Sequence, residues 1–263
     1  MLEIFPVYMN SFKQDRLIRV YLPNNYNEGN RKFPVLYMHD GQNIFNDKDA
    51  IGGTSLELEN YLEENGLEVI VIGIDQNTRD RINEYCPWIN GNYSKKILGH
   101  VSTYGGKGVE YVDFIVNELK PFIDNRYRTL KDNTAMAGIS LGGLITTYAM
   151  CRYPQIFKNI SVLSSAFYRN QEEIEKLIRD SDLSLIESIY LDCGNKESGK
   201  AENINNEFLA SNKAIYDILK EKLTSTEFAI INDAEHNYSF FRERVPEFFS
   251  FLTNNFDKRK FSL

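Results

Sequence analysis

Met136-Ala137-Gly138-Ile139-Ser140-Leu141-Gly142-Gly143 ("MAGISLGG", residues 136–143) is the stretch on which the reading of this chain turns. It has the form G-x-S-x-G, a pattern that carries chemistry only where a strand runs into it and a helix leaves it. "TAMAGI" (134–139) reads as the strand and "LGGLITTYAMCRY" (141–153) as the helix, with Ser140 at their junction. A serine on so sharp a turn has a strained backbone. Close packing there leaves no space for side chains two residues to either side, a need that Gly138 and Gly142 meet. The helix that follows would bring its free N–H groups near Ser140 Oγ. The alternative reading is a helix N-cap serine beside packing glycines.

On either side, short β-branched runs alternate with longer helical stretches. "LIRVYLP" (17–23) alternates like a half-buried strand, "PVLYMHD" (34–40) is a short apolar run, and "EVIVIGID" (68–75) is apolar on both parities, as a strand buried on both faces should be. "ISVLSSA" (160–166), "SIYLDCG" (188–194) and "FAIIND" (228–233) are further strand candidates. In "GVEYVDFIVNELKPFID" Val109, Val112, Ile115, Val116, Leu119 and Ile123 recur at helical spacing. The segments at 205–223 and 239–256 behave likewise, with Pro246 a local complication in the second. Strands separated by helices require crossover connections, hence a mostly parallel sheet. The first two strand candidates have no helix between them and predict an antiparallel N-terminal edge. The expected fold is α/β: a three-layer sandwich in a single domain over residues 1–263.

Composition narrows the partners. Of 263 residues, 42% are hydrophobic and 25% charged, enough for a full core without disulfides. A net charge of −7 argues against nucleic acid and against an anionic membrane surface. Cys86, Cys151 and Cys193 are odd in number and irregularly spaced, neither a disulfide framework nor a zinc pattern. The N-terminus has no apolar run of signal-peptide length, and no segment approaches the ~20 apolar residues of a membrane helix. These features predict a cytoplasmic protein with no cofactor or metal, and they leave the oligomeric state open.

If Ser140 is a nucleophile it needs a base, an acid and oxyanion donors. His236, in "AEHNYSFF" after the last strand candidate, is the only histidine C-terminal to Ser140. The acid belongs after the preceding strand, where Glu197 and Asp192 are both available. Glu197 is preferred because it lies in the loop itself, three residues past Gly194, whereas Asp192 falls at the strand end. The oxyanion donors would be the backbone N–H of Leu141 and that of Gln42, the latter in "YMHDGQNIF" (37–45), with Gly41 turning the chain. His39 and Asp40 belong to that same loop.

Several segments together resemble a known family. "LYMHDGQNIF", "IGID" followed by "RINEYCPW", "YVDFIVNELKPFIDNRYRT", "AGISLGGL", "YPQIFKNISVLSSAF", "LDCGNKE" and "EHNYSFFRERV" are similar to the "Putative esterase" family of α/β-hydrolases. That family includes enterochelin-type siderophore esterases, feruloyl and acetyl-xylan esterases and the mycolyltransferases. The resemblance runs from about residue 15 to residue 252, nearly the whole chain. It implies an α/β-hydrolase fold, Ser140 as nucleophile, His236 as base, Glu197 as acid, and the Gln42 and Leu141 amides as oxyanion donors. In the family the loop matched by "RINEYCPW" helps wall the substrate pocket. This makes Arg81, Tyr85, Trp88, His100 and the oxyanion-loop His39 candidate substrate contacts. An ion pair with an aromatic (Arg81, Glu84, Tyr85) and partial burial in a long loop (Trp88, His100) are the competing readings. The implied activity is that of a serine esterase on a small-molecule ester. An acyltransferase using the same acyl-enzyme and an inactive interaction module are the alternatives. The family leaves siderophore lactones, feruloyl or acetyl sugar esters and short acyl esters open, and the absence of a basic cluster gives little support to an anionic catecholate.

Overall fold

A computed structural model of the protein describes residues 1–258. Eight strands form one sheet: β1 (Leu2–Met9), β2 (Gln14–Tyr21), β3 (Phe33–His39), β4 (Ile70–Ile74), β5 (Thr129–Ile139), β6 (Asn159–Leu163), β7 (Ser188–Gly194) and β8 (Thr226–Ile231). Their spatial order is β1-β2-β4-β3-β5-β6-β7-β8. The pairs β1/β2 and β2/β4 are antiparallel and all others parallel. The antiparallel N-terminal edge is therefore present but differently built. β4 separates β2 from β3, and the outermost strand is β1, in which Pro6 interrupts the apolar pattern. Proline lacks a ladder donor and is tolerated on an edge, which is where β1 lies.

Helices α1 (Leu58–Glu64), α2 (Arg81–Tyr85), α3 (Ser94–Leu98), α4 (Gly108–Phe114), α5 (Lys120–Arg126), α6 (Leu141–Arg152), α7 (Gln171–Asp180), α8 (Glu202–Lys222), α9 (Tyr238–Glu243) and α10 (Val245–Lys258) complete the layers. Strand alternation sorts the core. Val35, Tyr37, Ile70 and Ile72 pack with side chains of α4, α5, α6, α7 and α8, while Leu36, Met38, Val71, Ala135 and Ala137 pack with those of α1, α9 and α10. Helix α6, directly behind Ser140, is buried on almost all sides, as its apolar sequence requires.

Two departures from helical expectation trace to proline. The helix starting at Gly108 passes through a π turn at Ile115–Leu119 before α5, just ahead of Pro121. A proline ring clashes with the carbonyl four residues back and brings no N–H, and one wider turn accommodates both. The C-terminal helical segment is divided into α9 and α10, with Arg244 between them and Pro246 in the first turn of α10. Because β3 through β8 are parallel, the loops that leave β3, β5, β7 and β8 all emerge along one sheet edge.

Candidate active site

Ser140 stands between β5 and α6 at φ 60°, ψ −121°, a left-handed conformation that a non-glycine residue enters only under strain. Its N–H bonds Leu163 O, and its carbonyl accepts from Ala166 N–H, so the turn is tied to β6 on both sides. The two flanking glycines differ in necessity. A Cβ on Gly138 would lie 2.1 Å from Gly142 O, so only glycine fits. A Cβ on Gly142 would meet nothing closer than His39 Cβ at 3.4 Å, an ordinary contact. The expectation of a space requirement thus holds for Gly138 and not for Gly142.

His236 follows β8 and turns back over the sheet edge. Ser140 Oγ lies 2.8 Å from His236 Nε2, and His236 Nδ1 lies 2.6 Å from Glu197 Oε2. The imidazole is held edge-on between Phe208 of α8 and Phe241 of α9. Glu197 is buried, and its other oxygen, Oε1, accepts from Gly194 N–H and from Ser164 Oγ. Burial alone would raise the Glu197 pKa. The hydrogen bond and charge of His236, with Ser164 and Arg244, outweigh it and hold the carboxyl below its ordinary value. Asp192 does not reach His236. It is fully buried at the end of β7, where it accepts from Arg244 Nη1 at 2.9 Å and from Ser164 N–H.

The loop after β3 lies beside the start of α6. Its left-handed residue is Asp40 (φ 57°), not Gly41. Gly41 serves another need: a Cβ there would lie 2.6 Å from Asp75 Oδ1 and 2.7 Å from the Gly73 backbone, so the loop can cross β4 only without a side chain. The Gln42 side chain clamps the backbone of Gln76, accepting from its N–H and donating to its carbonyl. Among the described residues neither Gln42 N–H nor Leu141 N–H has a hydrogen-bond partner.

The remaining predicted contacts separate. Arg81 donates from Nε and Nη2 to both oxygens of Asp40 at 2.7 Å, and its guanidinium stacks over Tyr85. Burial opposes the Arg81 charge, but Asp40 more than offsets it and raises the pKa above the ordinary guanidinium value. Tyr85 is fully buried, with its hydroxyl accepting from Asp40 N–H. It supports the loop from behind and lines no open surface. Glu84 pairs with Arg16 instead of Arg81. His39 is also buried. Its Nδ1 meets the Tyr111 hydroxyl, and burial lowers its pKa to about 4, so the ring is neutral near pH 7. Trp88 packs edge-on against Tyr148 of α6. His100 is exposed, and its one hydrogen bond among the described residues is to Leu98 O. The segment carrying Trp88 is fixed by Asn170, which donates to Trp88 O and Ile89 O, and by Arg169, which donates to Asn90. Ser164, Arg244, Phe208 and Phe241 were not singled out from the sequence. No local motif marks them, and they reach the site only through tertiary packing.

Comparison with known proteins identifies the family. Residues 9–252 match the family described as "Putative esterase". The chain belongs to this esterase family. The esterase is 27% identical over 234 residues to "Uncharacterized protein YbbA" of Bacillus subtilis (strain 168), covering 86% of this chain and 88% of that one. It is 25% identical over 191 residues to an endo-1,4-beta-xylanase/feruloyl esterase of Xylanibacter ruminicola, covering 70% of this chain and 23% of that larger protein. Among solved structures, an IroE-like serine hydrolase from Shewanella oneidensis superposes with a TM-score of 0.77 at 18% identity, over 98% of this chain and 80% of that one. The likeness shows a shared α/β fold, which this chain builds on a mostly parallel eight-stranded sheet. Among the described residues no helix is long and apolar enough to cross a membrane, and no group of three His, Cys, Asp or Glu could hold a metal ion.

Proposed function

We propose that the esterase cleaves its substrate through an acyl-enzyme on Ser140, with His236 as general base and Glu197 as the acid that orients it. The observation that carries this reading is the continuous run of hydrogen bonds from Glu197 Oε2 through both ring nitrogens of His236 to Ser140 Oγ, at a serine held at φ 60°. The Nδ1–H donates to Glu197, which leaves Nε2 to accept the Ser140 proton as Oγ attacks the ester carbonyl. The developing oxyanion is held by the Gln42 and Leu141 amides, whose lack of other partners among the described residues supports that role. His236 then protonates the leaving alkoxide. In the second half the same Nε2 removes a proton from water, which attacks the acyl carbonyl and returns Ser140 to its starting state.

Ser140→Ala is expected to abolish p-nitrophenyl ester turnover and labelling by a fluorophosphonate probe while leaving the fold intact by circular dichroism. Labelling retained in that variant overturns the assignment. A panel of acetyl, butyryl, feruloyl and trilactone esters then ranks the acyl groups.

A further inference from the structure

The triad acid is not anchored by its own loop alone. Its Oε1 meets the Ser164 hydroxyl at 2.5 Å, and that hydroxyl meets Arg244 Nη1 at 2.7 Å. The same Nη1 donates to Asp192 Oδ1 at 2.9 Å. All four residues are buried: Ser164 and Asp192 are fully inaccessible, and Arg244 and Glu197 are 3% and 5% exposed.

Donor inventory fixes the direction of this chain. A guanidinium can only donate, so the Ser164 oxygen must accept from Arg244, and the single Ser164 proton is left for Glu197. Oε1 is thereby occupied by the Gly194 amide and Ser164, with Cys193 Sγ a weaker contact at 3.8 Å, and Oε2 is left for His236 Nδ1. Arg244 reaches the base by a second route. Its guanidinium lies over the Phe241 ring, 5.2 Å from the centroid, and Phe241 is one of the two rings that hold His236 edge-on. The side chain is poorly used for any purely structural end. Its Nε and Nη2 are buried with no partner among the described residues, although an arginine serving only to neutralise Asp192 would gain from a two-nitrogen fork.

We propose that Arg244 is a positioning residue of this site, acting through the Ser164 hydroxyl on Glu197 and through Phe241 on His236. This rests on the triad reading above. Arg244 touches no reacting atom; it sets the rotamer of the acid and the tilt of the imidazole, so its loss misplaces the proton acceptor without altering the binding surface.

Ser164→Ala breaks the first route while keeping the Arg244–Asp192 pair, and is the primary test. It is expected to lower kcat for p-nitrophenyl acetate roughly 10- to 100-fold with KM little changed, as for misplacement of a reacting group by about 1 Å. Arg244→Lys, which keeps a charged donor, is expected to lose less kcat than Arg244→Met, which has none. In a Glu197→Ala background Ser164→Ala is expected to have no further effect, because its only route to the chemistry has gone. Thermal melts accompany each variant, and if Arg244→Met does not fold the Ser164 cycle carries the test. The proposal is overturned by wild-type kcat in folded Ser164→Ala, by equal kcat in the two Arg244 variants, or by a Ser164 effect that persists undiminished without Glu197. The triad reading fails separately, through full activity in Glu197→Ala or probe labelling of Ser140→Ala.

Discussion

The two halves of the site are each anchored by an arginine, and they use it differently. On the side of the proposed oxyanion amide, Arg81 grips both oxygens of Asp40 in a closed fork, remains partly open to solvent, and stacks on Tyr85. On the acid side Arg244 is sealed in and divides one nitrogen between a hydroxyl and a carboxylate. The fork helps fix a backbone turn whose proposed working group is an amide, and an amide needs only a place. The divided contact passes orientation on to a side chain, and Glu197 has rotamers that must be selected. The loop carrying the backbone donor is thus held by an ion pair, by Tyr85 and by the Gln42 clamp on Gln76, whereas the side-chain acid is held by a chain of donors.

The largest test of this contrast is on the acid side. Glu197→Gln keeps the shape of the side chain but removes its charge, and can present an NH2 to His236. It is expected to lower kcat by about three to four orders of magnitude with a stable fold, in line with neutralising the acid of a Ser-His-acid triad. Steady-state kinetics with a p-nitrophenyl ester checks it. A loss below tenfold would show that the acid half is dispensable and break the comparison.

Next is Arg81→Met, which leaves the buried Asp40 carboxylate uncompensated. The expected outcome is a loss of about 3–5 kcal/mol in urea unfolding, largely restored by adding Asp40→Asn. If the double variant recovers stability but not kcat, the fork is needed for the oxyanion amide as well as for the fold.

Acid titration separates the halves by sign. Burial lowers His39 to about 4, below its unfolded value near 6.5. Its contribution is fully present above pH 6.5 and is lost as pH falls toward 4, on the order of 3 kcal/mol. Asp192 acts oppositely. Burial, only partly countered by Arg244, raises it to about 6, so the folded state gains relative stability as pH falls through 6. Urea melts between pH 7 and 4 should therefore show a shallower acid loss in His39→Gln and a steeper one in Asp192→Asn. Parallel slopes in all three proteins would contradict both assignments.

The smallest effect is expected at Gly142→Ala, below about 1 kcal/mol by thermal melt, since the added methyl makes only ordinary contacts. Gly138→Ala, forced against the Gly142 carbonyl, should cost about 1–3 kcal/mol and most of the activity.

Legibility from sequence followed how local each determinant was. The elbow was readable because strand, serine, glycine and helix are contiguous, and β7 was predicted at Ser188–Gly194, where the structure has it. His236 was singled out by elimination among three histidines and Glu197 by its distance past the strand end, and the structure brings both to Ser140. β1 escaped because Pro6 breaks its pattern, a residue that matters little on an edge. The π turn escaped because spacing cannot tell a wide turn from a regular one. Arg244 lies in "FFRERVPEF" among ordinary helix-boundary residues, 80 positions from Ser164. Its placement beneath Glu197 is a product of the whole sheet and could not be read from any window. Tyr85 and His39 were misjudged as pocket contacts for a related reason: membership of a site-forming loop was legible, but the direction of each side chain was not.

The backbone of Ser140 has one more consequence. A residue at φ 60°, ψ −121° carries on the order of 1–3 kcal/mol of conformational strain that glycine would not. Ser140→Gly should therefore melt at a higher temperature than the wild type while being inert. If Ser140 is the nucleophile proposed, the protein holds its hydroxyl on this turn by tolerating a weaker fold, and selection for thermostability alone would tend to silence it.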